Sequence, residues 1–293
     1  MAAAPVTAMH RAWWRRQVLT VGAGLRPLPW RATRDPWRVL VSEVMLQQTQ
    51  ASRVVGPWRS FVDRFPDPAA CAAAPPSEVV RAWAGLGFNR RALQLRRAAT
   101  AAVDHHGGQI PGDLDALLAL PGVGAYTSRA VLAFAFERPV AVVDTNVRRV
   151  VRRALSGRPL APSALQQLAG SLVPGACSWE YNQALMEIGA LVCTSRHPAC
   201  DRCPLARRCW WHQAGHRHPD PASPTTRQSR FVGSDRQGRG RLVAALRAGP
   251  VPASELAAAA GWPEDVERAS RVAATLVADG LVVVDSHGTA RLA

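Results

Sequence analysis

The chain has 293 residues, enough for about two domains with separate cores, and carries a formal net charge of +15. That surplus points to a polyanionic partner, most commonly nucleic acid; a GC-rich genome would also favour arginine codons, but codon bias does not account for so few acids. All 36 basic Lys-or-Arg positions are arginine, which excludes any chemistry that needs a lysine amine, and the opening MAAAPVTAMHRAWWRR has no apolar core ahead of its charges. No apolar run is long enough to span a bilayer, so a cytoplasmic protein is expected.

Residues 11–19 read as a short helix bearing Trp13 and Trp14, followed by a turn-rich stretch with Pro27 and Pro29 that leads to Trp30 and Arg31. Asp35-Pro36 is a helix start, an acidic cap before proline at the first helical position. The helix it opens reads WRVLVSEVMLQQTQ. Glu43 is surrounded there by Val39, Leu40, Val41, Val44, Met45 and Leu46. Such a carboxyl is either an acid with a raised pKa or a salt-bridged core glutamate. Helical segments at 51–65, 76–83 and 90–105 follow, joined by proline and glycine turns. In the turn Gly85-Leu86-Gly87-Phe88, the phenylalanine is either a core anchor or an exposed wedge. No strand pattern precedes residue 280, so the first two-thirds are expected to be mainly α.

Asp113 caps a helix whose Leu114, Leu117 and Leu118 share a face, and Pro121 stops it. Gly122-Val123-Gly124 turns the chain into a second helix that runs to about residue 136. Backbone N–H groups at that helix start favour an anion such as a phosphate. The apolar segment 140–143 then ends at Asp144, which is expected to act on a strand held by the hairpin. In TNVRRVVRRAL, the apolar face of Val147, Val150, Val151 and Ala154 opposes Arg148, Arg149, Arg152 and Arg153, a face turned to solvent or to phosphates.

Two helices at 163–173 and 181–192 lead to CTSRHPACDRCPLARRC. Its Cys193, Cys200, Cys203 and Cys209 stand in the pattern C-x6-C-x2-C-x5-C, a metal site in a cytosolic protein, with zinc and an iron-sulfur cubane both open. Cys71 and Cys177 read as small buried hydrophobes. PDPASPTT at 219–226 is a linker by composition. Helices at 239–247, 253–260 and 263–278, then LVVVDSHGTARLA turning at His287-Gly288, resemble a winged-helix module.

Taken together, LPWR at 28–31, SEVMLQQTQ at 42–50, GLGF at 85–88, LPGVGAYT at 120–127, VDTN at 143–146 and the four-cysteine loop resemble the helix-hairpin-helix DNA glycosylases, and within them the MutY-type adenine glycosylases. The resemblance implies a mainly α fold. Its expected parts are an iron-sulfur cluster subdomain at 8–29 and 137–218, a six-helix barrel with the hairpin at 30–136, a linker at 219–233 and a winged-helix-like module at 234–293. It also implies a [4Fe-4S] cluster on the four cysteines and a monomeric, nucleoid-associated base-excision-repair enzyme. The implied substrate is duplex DNA with adenine opposite 8-oxoguanine or guanine, the adenine being flipped out before its N-glycosidic bond is cut.

On this resemblance Glu43 is the general acid, Asp144 the ionised partner of the sugar cation, and Tyr126 and Asn146 support the two carboxyls. Trp30, Arg31 and Glu187 surround the flipped base, while Leu46, Gln48, Thr49 and Phe88 enter the duplex or touch the partner base. Gly122, Val123, Gly124 and Arg148 hold the backbone. Endonuclease III-like relatives carry a lysine where this chain has Tyr126, so a monofunctional enzyme without β-lyase activity is expected. The tail is too short and too helical for the Nudix-like domain of many MutY enzymes and resembles that of actinobacterial forms. Competing expectations are a mismatch thymine or uracil glycosylase of the same superfamily and a non-catalytic iron-sulfur DNA-binding regulator.

Overall fold

The computed structural model describes residues 7–216, 219–222 and 230–293. The chain divides into two compact units, one formed by the described residues of 1–27 and 125–227, the other by those of 28–124 and 228–293. Helix α1 (Ala8–Leu19) opens the first unit, capped by Thr7, whose hydroxyl accepts from the His10 N–H. In the second unit lie α2 (Pro36–Leu46), α3 (Ala51–Arg64), α4 (Pro68–Ala73), α5 (Pro76–Ala82), α6 (Arg90–His106) and α7 (Leu114–Ala119). The chain returns to the first unit for α8 (Ala125–Phe134), α9 (Thr145–Val151), α10 (Pro162–Leu172), α11 (Ser178–Glu187) and the short α12 (Trp210–Gln213). It ends in the second unit with α13 (Asp235–Ala248), α14 (Leu256–Ala260), α15 (Val266–Ala278) and the antiparallel pair β1 (Val282–Val284) and β2 (Ala290–Leu292).

The helix starts follow the sequence chemistry. Asp35, Asp67 and Asp113 each accept a backbone N–H three residues on, and proline occupies the first turn of α2 and α4. The turn between α7 and α8 is where the chain passes from one unit to the other, so α8 groups with the cysteine region and the C-terminal module with α2–α7. The sequence reading set its boundaries elsewhere, after residue 136 and before a separate tail. Of its linker at 219–233, residues 223–229 lie outside the described residues.

In the second unit, α2 is buried on almost every side, with Trp37, Val39, Leu40, Val41, Val44 and Met45 all in the core. Phe61 packs edge-on against Trp83 at 5.8 Å and Phe65 at 4.9 Å, and Trp37 donates its indole N–H to the Phe65 carbonyl. In the first unit the core gathers Trp14, Val18, Val147, Val150, Val151, Leu185, Ile188 and Leu205. Trp14 donates to the Tyr181 hydroxyl at 2.9 Å, and burial pushes the Tyr181 phenol above its ordinary range. Cys71 is buried as expected, its thiol pushed up to about 12 by burial. Cys177 is not: it is exposed in the left-handed conformation at φ +59°, at the start of α11, where the chain must turn. Among the described residues no helix is long and apolar enough to cross a membrane.

Candidate active site and cysteine centre

In the second unit Glu43 is 4% exposed, seated in the apolar helix that the sequence marked as unusual. Trp30 is buried in a short turn and meets the Trp58 ring edge-on at 6.0 Å, while Arg31 beside it is half-buried. The chain leaves α2 through Leu46 and Thr49, both half-buried, and through exposed Gln48 with a φ of +54°. Phe88 also sits at positive φ, +47°, and is 45% exposed, so it is not a core anchor. Two side chains held in this sparsely populated region mark a segment whose backbone is fixed by its surroundings.

What fixes it is Arg91, which the sequence reading passed over. Its guanidinium donates to the carbonyls of Val44, Met45 and Gln47 at 2.7, 3.0 and 2.6 Å and to the Thr49 hydroxyl at 3.2 Å. It also reaches the Leu86 and Gly87 carbonyls and lies 5.5 Å over the Phe88 ring. Burial lowers its pKa to about 10, so it stays charged at neutral pH. Its place in the first turn of α6, three residues after Phe88, was the available signal.

The hairpin is more divided in its roles than the sequence implied. Gly122 lies at φ +77°, and a Cβ there would stand 2.6 Å from Cβ of Gln94, so only glycine fits. Gly124 faces open space and is exposed. Val123, expected beside them on the DNA backbone, has its side chain buried and its N–H donated to the Leu120 carbonyl at 3.1 Å.

In the first unit Asp144 caps α9, accepting the Val147 N–H at 2.6 Å on one oxygen and the Asn146 amide at 2.9 Å on the other. The expectation was an ionised carboxylate. Burial instead pushes its pKa up, opposed by those two hydrogen bonds and by the Arg149 charge. Arg149 donates to Asn146 Oδ1 at 2.7 Å and to the carbonyls of Gly189 and Cys193 at 2.6 Å each. A hydrogen-bonded line thus runs from Asp144 through Asn146 and Arg149 to the first cysteine of the loop. Gly189 permits the approach, since a Cβ there would come within 2.6 Å of Asn146 Cβ.

The expected arginine face therefore splits. Arg148 is exposed, whereas Arg153 is 1% exposed and donates to the Thr194 and Ser195 carbonyls, to Cys193 Sγ at 3.4 Å and to Asp220 at 2.5 Å. Arg149 of α9 and Arg153, in the π-helical turn that continues it, are four residues apart and so share a face, where they pair the loop's carbonyls. Tyr126 is half-buried near the start of α8. Glu187 is 1% exposed and gripped by Arg26, whose Nε donates to both carboxylate oxygens at 3.0 and 2.9 Å.

Cys193, Cys200, Cys203 and Cys209 line one small void with Arg153, Trp211 and His212. Burial, together with the neighbouring sulfurs, holds the Cys203 and Cys209 thiols at about 11. Among the described residues, Cys200, His212 and His216 offer ligand atoms within 4.8 Å of one another.

The description of the family model matching residues 41–174 is HhH-GPD superfamily base excision DNA repair protein. An adenine DNA glycosylase of Mycolicibacterium smegmatis is 44% identical over 273 residues, covering 92% of each chain. One from Mycobacterium tuberculosis is 43% identical, covering 92% of this chain and 88% of its own. A solved thermostable thymine-DNA glycosylase is 32% identical with a TM-score of 0.67 over 72% of this chain and all of its own. A helical hairpin, a capped aspartate and a four-cysteine loop coincide with these likenesses, and the chain belongs to the adenine DNA glycosylase family of the HhH-GPD superfamily.

Proposed function

We propose that the protein excises adenine mispaired with 8-oxoguanine or guanine by hydrolysing its N-glycosidic bond and leaving the strand whole. Likeness along 92% of the chain to two adenine DNA glycosylases carries the choice of base. Each residue role is supported by its surroundings. Glu43, in its apolar helix, gives its proton to N7 of the flipped adenine as the C1′–N9 bond breaks, and later takes a proton from the attacking water. Asp144 carries the negative charge opposite the sugar cation, or bonds to C1′ transiently until water replaces it. Trp30 and Arg31 supply a ring face and a donor to the extruded base, and Glu187 a buried acceptor aligned by Arg26. Gln48, Thr49 and Phe88 address the partner base, on a segment that Arg91 holds in place. Gly122, Gly124 and the start of α8 seat a phosphate, with Arg148 on the backbone. Tyr126 and Asn146 orient the carboxyls. With no amine but the N-terminus, strand cleavage by a Schiff base has no side chain to use.

The four thiols suit a [4Fe-4S] cluster. Here four cysteines line one void, and four thiolates around one centre are the ligand set of a [4Fe-4S] cluster. The cluster, when bound, ties residues 193–209 into one loop.

A second reading, excision of thymine or uracil from mismatches, is favoured by the 32% identity to the thymine-DNA glycosylase. One panel of duplexes decides: A opposite 8-oxoguanine, A opposite G, and T or U opposite G, read with and without alkali. Adenine release that yields strand breaks only after alkali is expected. Release of thymine or uracil alone would replace this reading with the second.

A further inference from the structure

The second unit holds an open cleft of about 1140 Å³, part of whose lining comes from residues already placed at the partner base, Gln48 and Phe88, and from the hairpin's Gly122. Its lining also includes Phe231, just ahead of the C-terminal module, and the module's own Arg236 and Arg239. Among the lining residues Arg53, Arg90, Arg91, Arg236 and Arg239 face a single acid, Asp279. That acid is already matched, by Arg239 at 2.5 Å and Arg90 at 3.5 Å. Two aromatic rings stand open at the walls, Phe88 at 45% and Phe231 at 55% exposure, with Arg236 stacked 5.9 Å over the latter.

The module is fixed in this position. Arg247 of α13, half-buried, donates to the Val80 carbonyl at 3.1 Å and to Asn89 Oδ1 at 2.7 Å. Asn89 directly follows Phe88, so the module is pinned to the turn that carries that ring. Its β2 also packs on α5. A cleft with a net positive lining and exposed rings matches a nucleic-acid strand: charge for phosphates, rings for unstacked bases.

We infer that this cleft seats the strand carrying the base opposite the excised adenine, with Arg236 of the C-terminal module on its phosphates and Phe231 against its bases. The module is then part of the substrate site and contributes to partner-base recognition. The identity of that strand rests on the proposed function; the occupation of the cleft by DNA does not.

The test measures binding by the full chain to a duplex with a hydrolysis-resistant 2′-fluorinated adenosine opposite 8-oxoguanine, across a salt series. Arg236→Glu is expected to weaken binding at least tenfold, to lower the slope of log K against log salt by about 1, and to remove hydroxyl-radical protection on the strand opposite the adenosine. Arg241→Glu, an equal charge change at an exposed position of the same helix outside the cleft, is expected to stay within a few-fold of the parent. Phe231→Ala should weaken binding with the salt slope unchanged. Equal effects of Arg236→Glu and Arg241→Glu, or an unaltered footprint in both Arg236→Glu and Phe231→Ala, would overturn the inference. Because binding is read without turnover, a chain that bound this duplex but released no adenine from the unmodified duplex would count against the proposed function and leave the cleft standing.

Discussion

The Arg91 guanidinium donates to the Gln47 carbonyl at 2.6 Å, and through its other nitrogen to the Gly87 carbonyl at 3.2 Å, joining the segment after α2 to the turn that bears Phe88. One planar group thereby serves two loops whose key residues, Gln48 and Phe88, both sit at positive φ. Lysine cannot reproduce this fork, because its ammonium is a single point donor on a flexible stem. Arg91→Lys should leave several buried carbonyls unpaired, at about 1–3 kcal/mol each where water cannot replace the donor. The expected outcome is a thermal midpoint several degrees lower and reduced discrimination between A opposite 8-oxoguanine and A opposite G in single-turnover rates. Unchanged selectivity in a destabilised variant would mean that Arg91 is structural only.

Asn146 and Asp144 yield a pH prediction. Burial raises the Asp144 pKa, and the Asn146 amide is one of the groups pulling it back down. On the proposed mechanism the reaction needs the ionised carboxyl, so the rate is present above the folded-state pKa and lost as pH falls through it. Asn146→Ala removes a donor to the anion and should move that acid limb to higher pH, with a rate loss of about tenfold or more from weakened alignment. Single-turnover rates across the acid range check it, and an unmoved limb would assign Asn146 to α9 alone.

Much of the path to these residues was legible in the sequence because it is local. Asp35 and Asp113 announce their helices by capping chemistry, and the cysteine spacing and glycine hairpin are short-range patterns. Glu43 was conspicuous because an acid inside an apolar run breaks the rule of its surroundings. What stayed hidden is tertiary. The amphipathic pattern put Arg149 and Arg153 on a polar face, yet the face is defined by what packs on it, and here the loop's carbonyls take the place of water. Arg26 reaches Glu187 across 161 residues, a partnership no periodicity encodes. The seating of the C-terminal module through Arg247 was equally out of reach, since composition marks a linker but not the surface that a tail returns to.

Gly189 supplies a steric test of the line from Asp144 to the cysteine loop. A Cβ there would lie 2.6 Å from Asn146 Cβ and 2.9 Å from the Asn146 backbone. Gly189→Ala should push Asn146 away and lower the single-turnover rate tenfold or more while DNA affinity changes little. Combined with Asn146→Ala, the loss should be less than the product of the two, because both act through the same displaced group. Full additivity would separate them.

Arg153 should govern retention of the group on the four cysteines. It is almost completely enclosed, and its charge lies beside Cys193 Sγ and the Trp211 ring at 4.6 Å. Arg153→Gln leaves Asp220 and two carbonyls short of donors and removes the cation that balances the thiolates. Iron and sulfide content per chain, with the visible absorbance of the purified protein, should fall well below parental values. Zinc in place of iron in the parent would instead reassign the centre.

Tyr126 offers the sharpest separation between hydrolysis and strand cleavage. It lies in the first turn of α8, directly after the Gly122–Gly124 hairpin proposed to seat a phosphate. The parent, with no lysine in the chain, should give no borohydride-trapped complex and no strand break without alkali. Tyr126→Lys places a primary amine at this position, where it can attack C1′ and form the Schiff base that leads to β-elimination. Near the N-terminus of a helix and beside Arg129, the ammonium should lose its proton more readily than a free lysine, which favours the nucleophilic form. A trapped covalent complex and alkali-independent breaks in the variant are the expected result. Efficient trapping by the parent would overturn the monofunctional assignment, and a variant that excised adenine without any trapping would show that residue 126 does not face the sugar.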